Sequence, residues 1–438
     1  MLRPVAALPV AAVRTVSGGR CDGRDVCEAA AVYVHWPYCE KRCTYCNFNK
    51  YIARSDNEEA VRSCLVQEAR TLLQLSRVRR VSSVFFGGGT PSLAKPSTIR
   101  AVLEEISKST YLPADAEITL EANPTSSGKS KLEQFRDVGV NRLSVGVQSL
   151  DDHDLLLLGR THTASDAQRT VTEARKIFPG RTSVDVMFGL PGQTLASWHS
   201  TLHRLLEQCD DHVSLYQLTL ERGTMMFKWK EKAQLAFPDQ ELTAQMYDDA
   251  RRILQQAGFR QYEVSNFARN GAVSKHNLSY WLGKQYIGIG PGAHGRFVVH
   301  NTQGKQRQAR IQTLEPEPWM KEVRSHGHGT RKVTEQNDFE ILSELLVLSL
   351  RTDVGISHKR WRERSPTVSL HGLFKASQEL RDLQENGLLL LDQNGLRCTW
   401  KGLAVLDSLL LPILSQFQES WTQSDNLEPH QPHTTAYK

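Results

Sequence analysis

The run Tyr33-Val34-His35-Trp36-Pro37-Tyr38-Cys39-Glu40-Lys41-Arg42-Cys43-Thr44-Tyr45-Cys46 decides how the chain is read. Val32–Trp36 reads as a short apolar strand. Three cysteines then fall within eight residues, at the spacing C-x-x-x-C-x-x-C. A disulfide framework would scatter its cysteines through a short secreted chain, so this cluster reads as a metal site in a reducing compartment. Three thiolates on one tight loop can hold three irons of a cubane and leave the fourth open. The rival is zinc, with His35 drafted as fourth ligand, but His35 belongs to the strand and no further Cys or His stands at zinc-finger spacing.

Working outward, short apolar runs alternate with segments of helical period. The strand candidates are Val32–Trp36, Val81–Phe86, Glu117–Leu120, Arg142–Val147, Ser183–Phe188 and His212–Leu220, and the helix candidates lie near 57–77, 96–108, 129–138, 163–177 and 194–208. Six βα units in a row predict an α/β fold with a parallel sheet wrapped by helices, as a barrel or an open partial barrel. Right-handed crossovers put every strand's C-terminal end on one rim, where barrel enzymes build their sites. The unusual residues gather there: the cysteines after the first strand, Gly87–Gly88–Gly89–Thr90–Pro91 after the second, and Glu121–Ala122–Asn123–Pro124 after the third. Gln148 closes the fourth strand, and Asp185 lies on the fifth before Gly189–Leu190–Pro191.

Composition bounds the rest. The chain has 438 residues, a formal charge of +6 and 39% hydrophobic residues, which suits two or three globular domains and is too weakly basic to imply nucleic-acid binding. No uncharged apolar run nears the roughly 20 residues of a membrane span; Asp407 and Pro412 cut the densest, Leu403–Leu414. Residues 1–20 carry Arg3, Arg14 and Arg20 and no acid, the composition of a mitochondrial targeting segment. Residues 301–337 are polar, with His326–Gly327–His328–Gly329, and are expected to form a connector. Over 338–415 the order helix, helix, hairpin at Asn394–Gly395, helix predicts a mostly helical, winged-helix-like domain, followed by a disordered tail at 416–438. Cys64, Cys209 and Cys398 fall in helix or strand patterns and are expected in the core.

With those motifs in hand, Tyr33 to Cys46 resembles the radical S-adenosylmethionine (SAM) superfamily, and within it the anaerobic coproporphyrinogen oxidase group. The resemblance covers a partial (βα)6 barrel over residues 28–300 and continues into the C-terminal module. It implies a [4Fe–4S] cluster on Cys39, Cys43 and Cys46, with SAM chelated to the open iron. It also implies SAM contacts from Tyr33, Tyr45, Gly88, Gly89, Thr90, Glu121, Gln148, Arg160, Asp185 and Thr219. The residue types fit: glycine admits close backbone approach, a carboxylate suits a cationic group, and arginine an anionic one.

Two features separate the chain from the coproporphyrinogen dehydrogenases. Their fourth cysteine, two residues after the third, is replaced here by Phe48. His276-Asn277-Leu278-Ser279-Tyr280-Trp281 matches the H-N-x-x-Y-W element of the HemW subfamily, the haem chaperones. A neutral imidazole is a common haem ligand, and His276, Tyr280 and Trp281 would offer a ligand and aromatic surface. The alternative is an ordinary asparagine-initiated turn with Tyr280 and Trp281 packed inward. The resemblance implies a mitochondrial haem chaperone with haem-acceptor partners, an electron donor if SAM is cleaved, and a possible homodimer. The competing expectation is an oxygen-independent coproporphyrinogen III dehydrogenase.

Overall fold

The computed structural model describes residues 29–52, 57–301, 304–365 and 368–425. The expected targeting segment at 1–20 lies outside them. Six parallel strands follow the order read from the sequence: β1 (Ala29–Trp36), β2 (Arg80–Gly88), β3 (Glu117–Ala122), β4 (Arg142–Gln148), β5 (Thr182–Phe188) and β6 (His212–Gln217). Between them run α1 (Glu58–Ser76), α2 (Pro96–Ser109), α3 (Lys129–Asp137), α4 (Ala164–Ile177) and α5 (Leu195–Gln208), and α6 (Gln240–Gln256) follows β6.

Alternation along the strands divides the barrel into an oily outside and a polar inside. Val32, Val34, Val84, Phe86, Ile118, Leu120, Leu143, Val145, Val184, Val186, Val213 and Leu215 face the helices and form the main core. Their neighbours, among them Thr119, Glu121, Ser144, Ser183, Asp185 and Ser214, face the interior. The period of two makes this division automatic once one face is buried.

The sheet is larger than the six-strand reading. After β7 (Arg260–Glu263) and β8 (Asn266–Ala268) come α7 (Lys275–Trp281), β9 (Gln285–Ile289), β10 (His294–Asn301), β11 (Gly304–Gln312), α8 (Pro316–His326) and β12 (Thr330–Glu335). The strand order is β12-β11-β10-β9-β1-β2-β3-β4-β5-β6-β8-β7, with β9 parallel to β1 and the outer pairs antiparallel. The connector expected at 301–337 is therefore corrected: it holds two sheet strands and a helix. Its polarity misled, because Arg307, Arg310 and Gln312 are buried polar residues of the sheet.

Glu68 of α1 clasps this extension to the barrel. Its carboxylate accepts from the amides of Gly290 (2.7 Å) and Gly329 (2.7 Å) and from Trp319 Nε1 (3.0 Å). The His-Gly tract thus serves packing: Gly327 ends α8 at φ 83°, and Gly329 donates to Glu68.

A second core built around Leu346, Trp361, Leu370, Leu396 and Phe417 holds the C-terminal module together. It comprises α8's successor α9 (Asp338–Ser349), short helices, a three-stranded sheet of Ile356–Ser357, Gly395–Cys398 and Leu389–Leu391, and the final helix α10 (Leu406–Asp425). The helix expected at 370–386 breaks at Ser377, whose side chain caps the second half through Leu380 N. The disordered tail expected from 416 is corrected for 416–425, which are helical, since buried Phe417 anchors them; 426–438 lie outside the described residues. Among the described residues no helix is long and apolar enough to cross a membrane.

Candidate cluster and cofactor site

Proline at 37 turns the chain off β1 at the rim, and the loop that follows is held on several sides. Tyr38–Cys39 pairs in parallel with Tyr51–Ile52. Thr44 N donates to Leu158 O (3.1 Å), Thr44 Oγ1 to Leu157 O (2.7 Å), and Met226 N to Thr44 O (2.9 Å). Asn49 Nδ2 donates to Pro291 O (3.0 Å) and Leu314 O (2.9 Å), while its own carbonyl bonds His35 Nε2 (2.8 Å). His35 is a structural brace, and burial pushes its imidazole down to about 4, so it stays neutral.

Cys39, Cys43 and Cys46 carry free thiols on one wall of a cleft of about 510 Å³. They do not converge on a point: among the described residues, the His/Cys/Asp/Glu group with ligand atoms within 4.8 Å of one another is Asp151–His153–Asp154. One tetrahedral zinc, with Zn–S near 2.3 Å, would need sulfurs roughly 4 Å apart, closer than these three stand as a set. Thr90 Oγ1 donates to Cys39 Sγ (3.4 Å) and Arg160 Nη1 to Cys43 Sγ (3.6 Å), contacts that favour thiolates.

The same cleft is lined by Tyr45, Gly88, Gly89, Thr90, Glu121, Gln148, Arg160, Asp185 and Thr219. Nine of the ten residues expected to contact SAM thus meet the three cysteines in one place. Its volume lies within the roughly 300–1,000 Å³ of small-molecule sites. Arg160 Nη2 donates to Gly146 O (2.9 Å), while its buried Nε has no partner among the described residues, leaving a donor for an anion. Burial, with the Asp185 charge adding, pushes the Glu121 carboxyl up to about 8; burial also raises Asp185, which accepts from Ser144 and Ser183. Gln148 has φ 68° at a bulge against β5, a left-handed backbone that aims it into the cleft.

The glycine run owes its composition to the protein itself. Gly88 has φ 106°, and a Cβ there would stand 2.5 Å from the His35 ring; one on Gly89 would stand 2.6 Å from Tyr38 O. The close approaches are between β2 and β1 at Gly88, and between Gly89 and the start of the cysteine loop.

Tyr33, the tenth residue, faces elsewhere. It bonds His35 Nδ1 (3.1 Å) and lines an inner chamber of about 250 Å³ below the cleft. Glu121, Ser144, Asp185 and Tyr216 border both spaces. His276 also faces the chamber, because α7 lies inside the barrel. Its Nδ1 bonds Ser83 Oγ (3.0 Å), its backbone amide donates to Glu117 (2.9 Å), and it stacks on Phe85 at 4.9 Å. Glu117 in turn lies between Arg142 (3.6 Å) and Arg181 (3.8 Å). In this conformation His276 is 1% exposed, burial pushes its pKa down to about 3, and its Nε2, without a partner among the described residues, borders a space smaller than drug-sized pockets. Tyr280 packs on Tyr286 at 4.2 Å, and Trp281 lies under Arg351 at 4.6 Å.

Sequence reasoning missed Ser144, Tyr216, Thr119 and the Glu117–Arg142 pair. Polar residues at every second position of otherwise apolar strands, as in Ser183–Asp185 and His212–Ser214–Tyr216, were the available signal.

Comparison with known proteins agrees with this geometry. The radical SAM superfamily model matches residues 33–205, and the HemN C-terminal domain model matches 338–405. The chain is 61% identical over 396 residues to radical S-adenosyl methionine domain-containing protein 1, mitochondrial, of Bos taurus, covering 90% of each. It is 62% identical to the Mus musculus protein of that name, covering 90% of this chain and 89% of that one. It is 34% identical to the heme chaperone HemW of Bacillus subtilis, covering 85% of this chain and 96% of that one. Coproporphyrinogen III oxidase (HemN) of Escherichia coli superposes with TM-score 0.74 at 22% identity over 89% of this chain and 90% of that one, which shows the shared fold. The chain is therefore a mitochondrial member of the radical SAM superfamily, in the family of the radical SAM domain-containing protein 1 chains and the HemW proteins.

Proposed function

We propose that the chain is a haem chaperone: it binds haem, holds a SAM-coordinated [4Fe–4S] cluster on Cys39, Cys43 and Cys46, and delivers haem to acceptor proteins. The observation that carries the reading is the 34% identity to a HemW heme chaperone across 96% of its length, in a chain whose three thiols share one cleft. A cluster with one open iron supplies a site for the amino and carboxylate groups of SAM. Arg160 then offers its Nε to an anionic group, Glu121 and Asp185 accept from ammonium or ribose hydroxyls, and Gln148 and Thr219 border the same ligand. Tyr45 contributes apolar surface beside the cluster loop. Tyr33 acts from behind, holding His35.

The haem element is His276, Tyr280 and Trp281. Ligation by His276 requires α7 to turn out of the barrel, since the chamber is too small for a macrocycle. The same size disfavours coproporphyrinogen as substrate in the barrel. Haem titration of the full chain tests the reading: a saturable Soret shift is expected, weakened in His276→Ala, and its absence in the wild type would remove haem binding. Vinyl product from anaerobic incubation with coproporphyrinogen, SAM and reductant would instead establish the dehydrogenase.

A further inference from the structure

The large sheet ends on one side at β12, which among the described residues is paired along one edge alone, with β11. The strand is held at both ends. Gly329, just before it, donates to Glu68 (2.7 Å) and accepts from Thr313 N (2.7 Å). Gln336, just after it, donates to Arg307 O (3.0 Å) and accepts from Gln306 Nε2 (3.1 Å). Between these anchors Arg331, Lys332, Val333, Thr334 and Glu335 are all exposed, the apolar Val333 by 46%. In an antiparallel ladder, bonded and non-bonded residue pairs alternate. Because Gln336 bonds Arg307, the bonded positions that follow are Thr334 against Ala309 and Lys332 against Ile311. Arg331, Val333 and Glu335 therefore turn their amides and carbonyls to the open edge.

An open edge of this kind is a template for another strand, and many proteins blunt theirs with charge. Here the charges match a second copy instead. Paired antiparallel about Val333, two copies set Val333 against its counterpart and Arg331 against Glu335 on either side of it. Those are the positions whose backbone groups face outward, so the hydrogen-bond register and the charge register coincide. A slip of one residue would oppose outward groups to inward ones, and a slip of two would set Val333 against Arg331 or Glu335. Lys332 falls opposite Thr334, so no like charges meet directly. Opposite-charge and β-branched pairs across a ladder are both favourable, and a self-complementary patch closes as a two-fold dimer.

We propose that β12 is the docking edge for a second copy of this chain, the two strands joined antiparallel about Val333. The inference stands apart from the haem reading and uses none of its residues. The test is analytical ultracentrifugation of the full chain, purified anaerobically, across the micromolar range. The wild type should show a concentration-dependent equilibrium between monomer and dimer. Val333→Pro removes an outward amide that β11 does not use, which is where edge strands accept proline, and should be monomeric with unchanged iron content. Arg331→Glu and Glu335→Arg each set like charges opposite one another on both sides of Val333. Each should weaken association by at least about tenfold. An equimolar mixture of these two variants restores opposite charges at both places and should associate as the wild type does. A wild type that stays monomeric throughout overturns the proposal, as does a dimer that Val333→Pro leaves intact. So does a mixture that associates no better than either charge variant alone, an outcome read without the proline substitution.

Discussion

Replacing Gly88 by alanine probes the joint between the barrel and the cysteine loop. At φ 106° an L residue is strained whatever space surrounds it, at a cost of about 1–3 kcal/mol. The new Cβ would also stand 2.5, 2.6 and 2.8 Å from Cε1, Nδ1 and Nε2 of His35. That ring has no easy retreat: it is 5% exposed and bonded at both nitrogens, to Tyr33 OH and Asn49 O. Displacing it forfeits two hydrogen bonds of about 0.5–1.5 kcal/mol each, so Gly88→Ala should destabilise by about 2–6 kcal/mol. Asn49 follows Cys46 by three positions, and the loop should lose iron as the brace loosens. The assay is urea denaturation of anaerobically purified protein with iron analysis, in a double-mutant cycle with His35→Ala. Once the ring is gone, Gly88→Ala should cost the backbone part alone, leaving a coupling of about 1–3 kcal/mol. Strict additivity of the two substitutions, or a wild-type midpoint in Gly88→Ala, would refute the reasoning.

Three further outcomes follow from other parts of the molecule. Cys39→Ala should purify with its iron largely lost while Cys209→Ala, a core change, keeps it; equal iron in both would dissociate the loop from metal binding. Glu117→Gln leaves Arg142 and Arg181 without their buried partner and loosens the amide of His276, so a loss of about 3–5 kcal/mol and faster amide exchange across 275–281 are expected. Unchanged exchange there would show that Glu117 does not anchor α7. His276 has a folded pKa near 3 against 6.5 unfolded, so its contribution is fully present above pH 6.5 and is lost as pH falls toward 3. Between pH 7 and 5 the wild type should lose about 2 kcal/mol that His276→Gln does not; identical pH slopes would contradict a buried neutral imidazole.

Much of the barrel was legible in the sequence because the signals are local. Alternation of apolar residues, helical periodicity and turn residues placed all six strands and five helices within a few residues of their ends. The rim position of the cysteines, Glu121, Gln148 and Asp185 then followed from crossover handedness. Other features were not local. The polarity of 301–337 looked like a connector because a buried arginine and a solvated one read alike until the partner is known. Glu68 finds Gly290, Trp319 and Gly329 across more than 200 positions.

The chain's own letters thus determined a parallel α/β barrel with three thiols at its mouth, and marked residues 276–281 by their pattern. Only the tertiary structure decided which way those residues face. It folds α7 inward and closes His276 between Ser83, Glu117 and Phe85. Strand period and loop spacing are properties of neighbours in the chain, whereas burial and charge pairing depend on residues brought from far along it.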